Sequence, residues 1–299
     1  MRSDWTTLPR SVITRITDQV GGAFEATPAP DGNHAQIAST VTGPSGPVFV
    51  KAAYGERGVR SLRYELAVTP AVDRYPPALR WHFEADGWLV VGTEHLAGPH
   101  PDLSPGSPDL DLLTAALKDL QQTPAPGDRW FTPADRLGFT HPAMDGGTLV
   151  HSDLNPTNLI ITPHGLRIVD WAWATKAAAW VELALLVQWL IGSGHTADQA
   201  EDWLGQFPGW TATGADVLDH FASANAAKWA AKARHNTEGW VQDLARWTGE
   251  WAIRRAHGCV AQGREARPRA RQSWQAAGYQ RSPHATGSRP DQVRDELAR

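Results

Sequence analysis

The hydrophobic period of this chain changes once, near residue 98, and that change limits the architecture more than any other feature. Before it, apolar residues recur in short strand-like runs. Residues 35–42 (AQIASTVT) and 47–52 (PVFVKA) are β-prone and joined by Gly43-Pro44-Ser45-Gly46, a hairpin signal. Residues 81–85 and 88–93 form a second pair across Asp86-Gly87, two residues tolerant of the positive φ that a tight hairpin needs. Between the pairs, residues 58–68 (GVRSLRYELAV) have helical spacing, and Pro70 is expected to end that helix. After residue 98 the pattern is mainly helical, over 110–122, 177–191, 197–207, 215–234 and 238–260. Two apolar β-prone runs, 159–162 and 166–169, interrupt it around Pro163-His164-Gly165. The chain therefore reads as α+β: a small antiparallel sheet with one helix, then a larger, mainly α-helical part. Eleven of its 15 Trp lie from Trp171 onward, so most buried aromatic area is expected there.

Composition removes several classes. A disulfide scaffold is excluded because Cys259 is the one cysteine among 299 residues. The most apolar stretch, 177–191, contains Glu182 and Gln188 and falls short of the roughly 20 apolar residues of a membrane span. The opening residues lack a secretory pattern, and the expectation is a cytoplasmic protein with no membrane partner. The net charge of -4 hides an acidic body and a basic end: residues 1–253 carry a net -10 and residues 254–299 a net +6. From about residue 262 the composition is Arg-, Pro-, Gly- and Ser-rich, which reads as a basic, flexible tail. A nucleic-acid arm is the sharper reading of that tail. It is disfavoured because the basic residues stand singly among turn formers without a recognition motif.

Chemistry concentrates between residues 150 and 171. His151, Asp153 and Asn158 form H-x-D-x-x-x-x-N, and Asp170 ends a β-prone run twelve residues after the Asn. Phosphoryl transfer needs such parts in that order: a carboxylate to orient the attacking hydroxyl and accept its proton, then an amide and a second carboxylate to hold Mg²⁺. Asp153 is the candidate catalytic carboxylate. Asn158 and Asp170 are the candidate metal ligands, hard oxygen donors that suit Mg²⁺. His151 is expected to brace the loop. Each residue taken singly also has a plain structural role open to it, as a turn hydrogen bond or a helix cap.

The segment resembles the aminoglycoside phosphotransferase family, within the protein-kinase-like small-molecule phosphotransferases. That resemblance implies a bilobal fold with ATP and Mg²⁺ between the lobes. The implied division is a nucleotide-binding lobe over 1–94, a hinge over 95–98, a catalytic and substrate-binding lobe over 99–262 and a tail over 263–299. By the same resemblance Lys51, ending VFVK, is the phosphate-binding lysine, and Glu65 is its partner glutamate. The stretch 89–98 (LVVGTEHLAG) is the hinge, with Thr93, Glu94 and His95 against adenine. Gly32 and Asn33, in Asp31-Gly32-Asn33-His34, stand where the nucleotide loop turns, although no G-x-G-x-x-G is present.

The sequence departs from the family after Asp170, where Gly-Asp-Pro and a further Asp are missing and Glu182 is the nearest carboxylate. A protein kinase is disfavoured: position 155 is Asn rather than Lys, and a helix follows Asp170 too soon for a peptide-binding activation segment. The expected partner is a small-molecule hydroxyl acceptor. Asp198, Glu201, Asp202, Asp216 and Asp219 could meet a cationic acceptor such as an aminoglycoside, but their pattern favours a solvated acidic face. Choline-like, sugar, amino-alcohol and natural-product hydroxyls stay open as acceptors. The alternatives are a nucleotide-binding regulator without turnover, and a nucleic-acid-associated protein acting through the tail.

Overall fold

The computed structural model describes residues 4–29, 35–72, 74–127 and 130–261. The tail expected over 263–299 lies outside them. In the first part, α1 (Arg10–Val20) precedes β1 (Glu25–Pro28), β2 (Ile37–Gly43), β3 (Gly46–Tyr54), α2 (Gly55–Val72), β4 (Leu79–Ala85) and β5 (Trp88–Glu94). The strands form one antiparallel sheet in the order β1-β2-β3-β5-β4. Both expected hairpins are present. β2 and β3 close across Pro44-Ser45, with Gly43 opposite Gly46. β4 and β5 close across Asp86 (φ 49°) and Gly87 (φ 77°), the left-handed pair a tight hairpin turn requires.

The two faces of the sheet bury different partners. Val48, Val50 and Ala52 of β3, with Val41, Phe83 and Val90, pack with Val12, Ile16 and Val20 of α1. On the other face Ala53, Leu89 and Val91 pack with Leu62 of α2, while Val59 and Leu66 lean on them. Lys51 stands between Val50 and Ala52 in β3, so strand alternation turns it to the α2 side. This part holds two helices where the sequence suggested one. The stripe of α1 is only three residues wide, spaced by four and rich in β-branched side chains, so its helical period is weak. Pro70 does not end α2, which runs on to Val72. In the last turn a proline removes a single backbone donor, and burial of Val68 and Val72 against the helical part outweighs that loss.

The second part contains α3 (Asp109–Leu120), α4 (Pro133–Leu137), β6 (Thr148–Val150), β7 (Leu159–Thr162), β8 (Gly165–Ile168), β9 (Thr175–Ala177), α5 (Trp180–Gly192), α6 (Ala197–Leu204), α7 (Pro208–Thr211), α8 (Ala215–Ala233) and α9 (Gly239–Ala261). β6 pairs with β9 and β7 with β8, both antiparallel. The three-residue β6–β9 pair was not legible beforehand, and α5 begins after it. α5 is buried nearly all round, as its apolar sequence requires, and Trp171, Trp180, Trp210 and Trp251 join its core. No described helix is long and apolar enough to cross a membrane. The two parts meet near Gly98, where a Cβ would lie 1.9 Å from the Ile161 carbonyl oxygen, so only glycine admits this approach.

Candidate active site

The loop between β6 and β7 carries Asp153, and its shape comes from two buried polar side chains, His151 and Glu182. His151 is fully buried. Its Nε2 lies 2.9 Å from the Val169 carbonyl and donates to it, while Nδ1 accepts from the Asp153 amide at 3.2 Å. Burial pushes this imidazole down to about 4, so it is neutral, which suits one ring nitrogen donating and the other accepting. Its edge also meets the Trp171 ring, with centroids 4.6 Å apart. Ser152 next in line takes a left-handed φ of 66°, a cost for a non-glycine residue that its surroundings must hold. Glu182, buried on the first turn of α5, does so: its carboxylate accepts from the amides of both His151 and Ser152. His151 therefore braces the loop as expected. The role of Glu182 escaped sequence reading, since nothing in its own helix distinguishes it; the one signal was a lone carboxylate in an otherwise apolar stretch.

Asp153 emerges from this brace half-buried. Asn155 Nδ2 donates to its Oδ1 at 3.3 Å, and Asn158 Nδ2 donates to its backbone carbonyl at 2.9 Å and to Oδ2 at 3.3 Å. Burial pushes the Asp153 carboxyl up to about 7; the nearby Asp170 charge adds to this, while Asn155, Asn158 and Lys228 oppose it. Asn158 spends its N–H groups on Asp153, and its Oδ1 accepts no hydrogen bond among the described residues.

Asp170 follows β8 in a left-handed conformation, φ 63°, which Asp tolerates better than most residues. It lies 3.1 Å from the Nζ of Lys51, and the same ammonium donates to both Glu65 oxygens, at 2.7 and 2.8 Å. Burial works against the Lys51 charge, but Asp170 and Glu65 more than offset it and hold its pKa above the usual lysine range.

Lys51, Glu65, Asn158 and Asp170 line one end of a cavity of about 540 Å³ between the sheet and the helical part. The rest of its wall is mostly apolar, with Ala38, Phe49, Val91, Leu96 and Ile160. Thr93, Glu94 and His95 line it as well. The Glu94 side chain is committed elsewhere, pairing with Arg167 at 3.1 Å and accepting from the Ala78 amide at 3.3 Å. The backbone amides of His95 and Leu96, two residues of this wall, donate no hydrogen bond among the described residues. Gly32 and Asn33 lie outside the described residues. Asp153 is not part of this cavity wall; it is joined to it through Asn158.

The acidic cluster, expected as a solvated face and weighed as a site for a cationic acceptor, is largely held in ion pairs. Arg254 pairs with Asp198 at 2.6 Å and Glu201 at 3.0 Å, and Arg255 pairs with Glu201 at 2.6 Å and Asp219 at 2.7 Å. Trp251 also donates to Glu201 at 2.7 Å. Three of the five carboxylates thus tie α9 to α6 and α8.

Among solved structures, choline kinase from Cryptosporidium parvum superposes with a TM-score of 0.58 at 10% identity, over 85% of this chain and 96% of that one. A thermostable mutant of an aminoglycoside phosphotransferase, solved with ADP and hygromycin B, gives 0.52 at 13% identity, over 85% and 99%. A spectinomycin phosphotransferase, solved with ADP and spectinomycin, gives 0.51 at 9% identity, over 83% and 98%. The chain has the fold of the aminoglycoside phosphotransferases. No family model and no curated protein matches its sequence. The aminoglycoside-phosphotransferase fold is carried here by physical pattern at an identity too low to transfer an acceptor.

Proposed function

We propose that the protein is a phosphotransferase that moves the γ-phosphoryl group of ATP to a hydroxyl of a small molecule. The observation that supports it most is the convergence of Lys51 on Glu65 and Asp170 at the polar end of an otherwise apolar cavity, with Asn158 linking that end to Asp153. In this reading residues 1–94 form the nucleotide lobe, 95–98 the hinge and 99–262 the catalytic lobe, and the site works in the cytoplasm, where ATP is supplied.

The residues fit nucleotide and metal on their own chemistry. An adenine ring suits the apolar slot, with the His95 amide and the carbonyls at the end of β5 for its polar edge. Asn158 Oδ1 and the Asp170 carboxylate are two hard oxygen donors on one cavity wall. Two such donors suit Mg²⁺, which takes one or two protein ligands beside phosphates. When bound, Mg²⁺ neutralises phosphate oxygens and aligns them for in-line displacement. Lys51 holds negative charge at the same end, kept in place by Glu65. Asp153 orients the acceptor hydroxyl and takes its proton at a carboxylate oxygen. Because the phosphoryl transition state is loose, position and charge neutralisation supply most of the rate.

The test is Mg²⁺-dependent ATP consumption against a panel of alcohols, with Asp153→Ala as the control. Unchanged turnover in that variant would reject the assignment of Asp153. Tight nucleotide binding with no turnover on any alcohol would favour a silent regulator instead.

A further inference from the structure

The acceptor must approach Asp153 from the side away from the nucleotide cavity, and the charge on that side is opposite to what a polycationic sugar needs. α5 holds the Asp153 loop through Glu182, and α8 is tied to α5 by a hydrogen bond from Asn225 to Gln188 at 3.2 Å. One turn further along α8 stands Lys228. Its ammonium lies 5.1 Å from the centre of the Trp229 ring and 6.0 Å from that of Phe139. One more turn on, Lys232 lies 4.6 Å from the Trp229 ring and 4.7 Å from the Trp240 ring. Among the described residues neither ammonium makes a hydrogen bond or ion pair. Two like charges at i and i+4 disfavour a helix, and this chain has only five lysines. Lys228 and Asp153 feel each other's charge, and burial together with Lys232 pushes the Lys228 ammonium down to about 8. Meanwhile Arg254 and Arg255 pair with Asp198, Glu201 and Asp219, three of the five carboxylates that could meet a cationic acceptor.

We propose that Lys228 is an acceptor-binding residue and that the acceptor is an alcohol carrying a carboxylate or phosphate, its anionic oxygens on the Lys228 ammonium and its body against Phe139 and Trp229. The proposal rests on the phosphotransferase reading. A cation without hydrogen bond or ion pair among the described residues, against aromatic rings and on a helix tied to the one that braces the Asp153 loop, recognises an anion and repels a polyamine.

The experiment uses the full chain, its Lys228→Met variant and a panel of alcohols divided evenly among carboxylate- or phosphate-bearing, neutral and aminated members. ATP consumption is expected chiefly with the anionic set. In Lys228→Met the KM for such an acceptor should rise tenfold or more, with the KM for ATP within about twofold and the melting temperature unchanged. Turnover confined to aminated alcohols overturns the proposal while leaving the phosphotransferase reading intact. So does an unchanged acceptor KM, or a fall in kcat alone, which would place Lys228 on the transferring group. If no alcohol is turned over, thermal stabilisation of the ADP–Mg²⁺ complex by inorganic phosphate decides. Stabilisation lost in Lys228→Met supports the anion site even as the transfer reading fails, and none in the parent overturns it.

Discussion

The Lys51 ammonium sits 3.1 Å from the Asp170 carboxylate, 119 residues later in the chain, and this contact joins the sheet to the helical part at the wall of the cavity between them. Glu65 holds the other side of the same ammonium. The three side chains make a local charge balance, and in the proposed reading a triphosphate and a divalent cation would exchange for part of it.

Replacing Lys51 by Met leaves Glu65 and Asp170 as two neighbouring carboxylates without a cation between them. We expect nucleotide affinity, measured by calorimetry with Mg²⁺ present, to fall at least tenfold, and the carboxylates to titrate upward as a pair. Affinity equal to the parent's would remove Lys51 from the phosphate site.

Asp153→Ala should lower kcat by about 10² to 10⁴, the usual span for a lost general base. ADP affinity should stay within a few-fold, since Asp153 is not in the wall of the nucleotide cavity. Parallel loss of both would indicate collapse of the loop instead.

Glu182→Ala would strand the His151 and Ser152 amides in a buried place, at about 1–3 kcal/mol for each unsatisfied donor. Chemical denaturation should report that loss, and kcat should fall with it because Ser152 is no longer held in its left-handed conformation. Glu182→Gln keeps one acceptor oxygen and should recover part of both. An alanine variant as stable and active as the parent contradicts the bracing role.

Burial pushes Glu182 up to about 7 from an ordinary value near 4.5. Between those values the folded protein binds a proton the unfolded chain has released, so this group's contribution to stability decreases as pH rises through the window. Asp153, also raised to about 7, acts in the same sense. His151, lowered to about 4, acts in the opposite sense up to about 6.5. The comparison that isolates Glu182 is parent against Glu182→Gln. The parent's relative stability should decline by about 1–3 kcal/mol from pH 5 to pH 8. A flat difference across that range would show that the carboxyl keeps its ordinary pKa.

Arg255 is the buried member of the α6–α8–α9 network, and Arg255→Met would leave Glu201 beside the Trp251 ring with one cation fewer. Breaking one side of a buried pair costs about 3–5 kcal/mol, so the melting temperature should drop by several degrees, while the KM for ATP stays put. A variant of parental stability would mean that these carboxylates are not structural.

Several parts of the molecule were legible because their signals are local. The β-prone run 47–52 put Lys51 at a strand end, and the paired turn residues Asp86-Gly87 placed a hairpin, since both follow from backbone preference over a few residues. The spacing of Asp153, Asn158 and Asp170 was readable because a loop and one two-stranded turn bring them together within a short segment. Helix α1 and the β6–β9 pair were missed, one for a narrow apolar stripe and the other for its three-residue length.

The amino-acid order alone determined the α+β division, the strand and helix that carry Lys51 and Glu65, and the loop that carries Asp153. Tertiary structure decided which charges are spent and which are left over. Arg254 and Arg255 cancel Asp198, Glu201 and Asp219, Glu182 is turned onto the Asp153 loop, and Lys228 stays unpaired among the described residues. Helical and strand periods repeat along the chain and leave a trace in sequence. An ion pair between distant elements depends only on where two side chains end after packing, and it has no period to read.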